Sequence, residues 1–106
     1  MAIDFCIAKN IKEASYSENY VNLTEKIHDS LKESKIPSKA FSELILQLDP
    51  YGDKLFSSNE IKQLIEVCDL IKSSFKEKEI ILFSTELRKM CILALKQNKL
   101  IFAVGD

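Results

Sequence analysis

Five consecutive residues, Asp49-Pro50-Tyr51-Gly52-Asp53, bring two carboxylates, a proline and a glycine into one short segment. Hard cations such as calcium want several oxygen ligands from one compact loop, so metal binding is the first chemistry to test. An EF-hand loop takes acidic or amide ligands at alternate positions, with Gly at the sixth and Glu at the twelfth. Pro50 and Tyr51 interrupt that alternation and the loop supplies only two carboxylates, so no metal and no cofactor is expected. The segment reads instead as a type I turn, with Asp49 first, Pro50 second and Gly52 fourth. Tyr51 either plugs a gap between helices or stands exposed between carboxylates, where an aromatic ring suits a partner-binding anchor.

The other reactive residue types do not combine into a site. His28 is the only histidine and falls beside an apolar helical stripe, which predicts a partly exposed side chain on a helix flank. One imidazole makes no metal site. Cys68 and Cys91 fall on apolar stripes and are expected as small buried hydrophobes, while Cys6 lies in a candidate strand on either of its faces. With no base, nucleophile pair or phosphate loop in evidence, the chain is not expected to be an enzyme.

The elements that must position these residues are mostly helical. Ile3, Phe5 and Ile7 alternate with Asp4 and Cys6, which suggests a short strand, and residues 9–18 read as a loop. A first helix is predicted from about Glu18 to Ser34, with Tyr20, Leu23, Ile27 and Leu31 on one stripe and Asn22 and Glu25 as a capping pair. A second helix starts at Pro37 or Ser38, carries Phe41, Leu44, Ile45 and Leu48 inward, and ends near Asp49. The third has the clearest start: Ser57 and Glu60 form a capping box, with Phe56 and Ile61 as a hydrophobic staple. Its inward stripe is Ile61, Leu64, Ile65, Cys68, Ile71 and Phe75. A fourth runs near Glu79 to Asn98, and the β-prone Leu100–Val104 run can pair with Ile3–Ile7. Two Gly and two Pro leave little material for hairpin turns, which argues against a many-stranded fold. The expectation is a mainly α, four-helix bundle-like single domain over residues 1–106, with at most a short two-stranded sheet from the termini.

Composition narrows the function classes. The 106 residues are 29% charged and 46% hydrophobic, ordinary globular values, and the net charge of −1 provides no field for a nucleic-acid backbone or an anionic membrane. Residues 44–70 carry Asp49, Asp53, Glu60, Glu66 and Asp69 against Lys54 and Lys62, so the middle is acidic, while residues 71–106 are basic overall. Three widely spaced cysteines and an N-terminal segment too short in apolar run for a secretory leader predict reduced thiols in a cytoplasmic protein.

The "DPYGD" segment, the following helix with Gln63, Leu64 and Glu66, and the closing Phe102-Ala103-Val104-Gly105-Asp106 together resemble a family of small bacterial proteins. In that family the helix is of the Q-L-x-x-E type, from which Glu66 is shifted by one position. The resemblance covers the chain from Asp49 onward and is to the immunity proteins of polymorphic toxin systems, including contact-dependent growth inhibition. It implies a cytoplasmic protein that neutralises a cognate toxin C-terminal domain by stoichiometric contact, without catalysis. An acidic surface would oppose a basic nuclease toxin, and the expected toxin-binding residues are Asp49, Tyr51, Asp53, Glu60, Glu66 and Asp69. A small regulatory or phage-type adaptor is the alternative.

Overall fold

Chemistry at the Asp49–Asp53 turn depends on what flanks it, and the computed structural model, which describes residues 2–10 and 20–105, places it between a helix and a strand. The elements in order are β1 (Ile3–Ala8), β2 (Val21–Leu23), α1 (Glu25–Glu33), α2 (Lys39–Phe41, continuing through a π-helical turn, Ser42–Leu46), β3 (Asp53–Phe56), α3 (Ser58–Ser74), α4 (Lys78–Lys96) and β4 (Leu100–Gly105). The four strands form one antiparallel sheet in the order β2-β1-β4-β3. The protein is therefore a mixed α/β domain, and the expectation of a mainly α bundle with only a two-stranded sheet is wrong.

The reason lies in the connections. The termini do pair, Ile3 with Gly105 through Ala8 with Leu100, but as the centre of a wider sheet. The antiparallel neighbours β3 and β4 are joined through α3 and α4, so that pairing needs no hairpin turn and scarce Gly and Pro do not exclude it. β2 was legible as helix because Tyr20, Leu23, Ile27 and Leu31 share a helical spacing. In fact Thr24 is the N-cap, accepting from the Ile27 N–H, and Val21–Leu23 precede it as a buried–exposed–buried strand. Tyr20 lies outside the helix and is exposed. Most of the predicted 9–18 loop, residues 11–18, lies outside the described residues.

The inner sheet face carries Ile3, Phe5, Leu23, Phe56 and Ile101 against the helices. Ala103, directly opposite Phe5, is small enough for the Phe5 ring to reach Phe56, their centroids 5.9 Å apart, and Phe83 of α4 closes over Phe5 at 6.1 Å. The outer face carries a second cluster of Cys6, Ala8 and Phe102, with Leu100 and Val104 beside it. Apolar side chains on both faces explain why β4, one of the two central strands, reads as a continuous apolar run, while in β1 Asp4 breaks the outer face.

The capping box at Ser57 and Glu60 forms as the sequence predicts, and Phe56 and Ile61 are both fully buried. Ser38 caps α2. The π turn after it, closed by the Gln47 N–H on the Ser42 carbonyl at 3.0 Å, ends the helix at Leu46. His28 of α1 lies within 2.9 Å of the Ile45 carbonyl through Nε2 and is only 4% exposed, not the flank residue expected, because α2 crosses over that side of α1. Burial pushes its pKa down, although the hydrogen bond to Ile45 opposes the shift.

Candidate functional site

The turn is built from its own side chains. The Gly52 N–H donates to the Asp49 carbonyl at 3.1 Å, closing a β-turn, and the Tyr51 N–H donates to the Asp49 carboxylate at 2.9 Å. Its far end is fastened to the last strand, where the Gly105 N–H donates to the Gly52 carbonyl at 2.9 Å. A Cβ on Gly105 would stand 2.4 Å from the Pro50 carbonyl oxygen and 2.6 Å from that of Gly52. The two motifs "DPYGD" and "VGD", far apart in sequence, are thus two halves of one close-packed joint.

That joint holds Asp49, Tyr51 and Asp53 outward as a rim. Tyr51 is 68% exposed, which decides between the two positions its sequence left open. Asp49 and Asp53 are exposed beside it. Leu55, 48% exposed on the same strand face as Asp53, extends the rim and was not anticipated. The signal was present as alternation: Lys54 and Phe56 turn inward, Asp53 and Leu55 outward, over four residues read as the approach to a helix.

The other expected residues are placed differently. The Glu60 carboxylate accepts from the Ser57 N–H at 3.1 Å and from the Lys54 ammonium at 3.1 Å, tying β3 to α3. Partial burial pushes its carboxyl up, but the Ser57 N–H and the Lys54 ammonium outweigh burial and hold it below the ordinary value. The Lys54 ammonium also stands 5.2 Å from the Phe56 ring centroid. Nine residues further along α3, Asp69 is turned about 180° from Glu60 around the helix axis, and its carboxylate accepts from Arg88 Nε of α4 at 2.9 Å. Glu66 is exposed on α3, one turn before Asp69. The structure brings Asp49, Tyr51 and Asp53 together, uses Glu60 to fasten β3 to α3, and leaves Glu66 and Asp69 on a separate helix surface.

Beside the rim, a cavity of about 260 Å³ opens between α2 and the sheet, with Glu43, Gln47, Asp49, Asp53 and Lys54 at its polar walls. Elsewhere the reactive groups are committed to the core. Cys6, Cys68 and Cys91 are free thiols and buried; burial pushes all three up, Cys91 to about 12. Among the described residues no group of three or more His, Cys, Asp or Glu is placed to hold a metal ion. No helix among them is long and apolar enough to cross a membrane.

Compared with known protein families, curated proteins and solved structures, the chain matches none.

Proposed function

We propose that the protein acts by stoichiometric protein binding, as a cytoplasmic inhibitor of the immunity type, and that its partner is the C-terminal domain of a bacterial toxin. One observation carries the binding reading: Tyr51, 68% exposed, lies between the exposed Asp49 and Asp53 in a turn that holds its backbone N–H, and the exposed Leu55 shares a strand face with Asp53. Exposed aromatic and apolar side chains beside charged ones are the composition of an interface anchor and its rim. Supporting it, the side chains that could do chemistry are engaged in packing: His28 holds the Ile45 carbonyl and the thiols are enclosed. The toxin assignment rests on the sequence resemblance, and the acidic rim suits a basic nuclease, since opposed charge speeds encounter and selects the partner.

The test is growth rescue. The toxin domain encoded immediately upstream is expressed with and without this protein, and the pair is purified together. Rescue with a one-to-one complex supports the proposal. A complex without rescue, or a gene with no toxin neighbour, favours the regulatory adaptor.

A further inference from the structure

β3 is an edge strand: β4 pairs with one side of it, and among the described residues no strand pairs with the other. The direction of its backbone groups follows from the ladder. The Gly105 N–H bonds the Gly52 carbonyl, and the register continues with Lys54 opposite Ala103 and Phe56 opposite Ile101. Antiparallel residues alternate between facing the partner strand and facing away, so Gly52, Lys54 and Phe56 address β4 while Asp53 and Leu55 turn their N–H and C=O groups off the sheet. Edges of this kind are commonly blunted by lysine or proline. Here the one lysine, Lys54, lies on the inward face and is held by Glu60. The outward side chains are an acid and a leucine.

We infer that this edge accepts an extended segment of the partner protein as a fifth strand. The inference rests on the binding reading above and names the chemistry of what is bound. Asp53 and Leu55 lie on the same sheet face, so the incoming strand meets them with side chains two residues apart on one of its faces. The residue beside Leu55 is apolar, because Leu55 sits directly opposite Phe102 and continues the outer-face cluster. The residue beside Asp53 is basic, with Asp49 reinforcing the charge. A second copy of this chain is the poorer occupant, since antiparallel pairing that uses both outward residues sets each Asp53 carboxylate beside Leu55 of the other copy, with no basic partner.

The test titrates the ¹⁵N-labelled full chain with the octapeptide Thr-Val-Thr-Lys-Thr-Val-Thr-Lys, which puts Val and Lys on one face. Two controls accompany it: the same peptide N-methylated at its Val and Lys amides, the ones that would bond to Leu55 and Asp53, and a version with Glu for Lys. Binding of the first peptide is expected to slow solvent exchange of the Asp53 and Leu55 amides at least tenfold, with both controls inert. Leu55→Pro, which removes an outward N–H and no bond to β4, is expected to abolish the response. Equal response to the N-methylated peptide, protection elsewhere, or no binding overturns the inference, as does concentration-dependent self-association at β3. Growth rescue separates the two claims. Rescue retained by a folded Leu55→Pro chain overturns the strand addition and leaves the inhibitor reading standing; peptide pairing without rescue by the wild type does the reverse.

Discussion

Replacing Gly105 by Ala tests the joint that holds the rim. Neither glycine in the described structure has a positive φ, so conformational freedom is not what Gly105 supplies. What it supplies is room: an added Cβ meets the Pro50 carbonyl oxygen at 2.4 Å and the Pro50 carbonyl carbon at 2.7 Å, both backbone atoms. The protein has two ways to respond. It can keep the joint and overpack, at about 1–3 kcal/mol, or it can peel the end of β4 away and lose the hydrogen bond to Gly52, at about 1 kcal/mol. The cheaper route sets the floor, about 1 kcal/mol, which for a domain of this size lowers Tm by roughly 4–8 °C. Gly52→Ala is the control, because its nearest neighbour is the Asp49 side-chain carboxylate at 3.1 Å, which need yield only slightly and can keep its bond to the Tyr51 N–H. Thermal and urea melts of both variants measure the difference. A Gly105→Ala protein that melts within a degree of wild type, or a Gly52→Ala protein that melts lower than it, would refute the close-packed joint.

Loss of the helix cap in Ser57→Ala should cost about 1 kcal/mol by urea denaturation, with the m value unchanged. Leu64→Ala, at a fully buried position of α3, should cost about 2–5 kcal/mol in the same assay. For His28 the folded pKa lies below the unfolded one, so the unfolded chain binds more protons and stability rises with pH across that interval. Stability from this group is therefore complete above about pH 6.5 and is lost as the pH falls toward the folded value; Tm measured from pH 7 to 5 should show this, and His28→Gln, which keeps a donor for Ile45, should flatten it. The three thiols should resist a thiol reagent at pH 8 in the native protein and react together once urea unfolds it, since burial suppresses the thiolate.

Legibility in the sequence followed how local each signal was. The α3 start was readable because the cap, the box and the staple all lie within six residues, Phe56 to Ile61. The stripe of α3 was readable because its buried positions recur at helical spacing, although Val67 joins the core beside it. β3 was not, since a four-residue strand is recognised chiefly by its partner, and Leu100–Gly105 lies beyond two long helices. His28 was misplaced for the same kind of reason: one helix's periodicity shows its own flank but not the α2 turn that covers it. Within the rim, Asp49, Tyr51 and Asp53 stood out by composition, whereas the roles of Glu60 and Asp69 turned on Lys54 and Arg88, partners set by the fold. Leu55 carried no signal beyond its alternation with Lys54 and Phe56.

The most direct measurement of the central claim is the affinity of the purified protein for the proposed partner, a toxin C-terminal domain sought in the reading frame upstream, by calorimetry, for the wild type, Tyr51→Ala and the double variant Asp49→Lys, Asp53→Lys. Truncating an anchor should weaken binding by about 2 kcal/mol, roughly thirtyfold, with Tm unchanged, and charge reversal should weaken it further while reducing its salt dependence, in a protein that melts lower because Asp49→Lys removes the acceptor of the Tyr51 N–H. Wild-type affinity retained by both folded variants would show that the rim is not where this protein meets its partner.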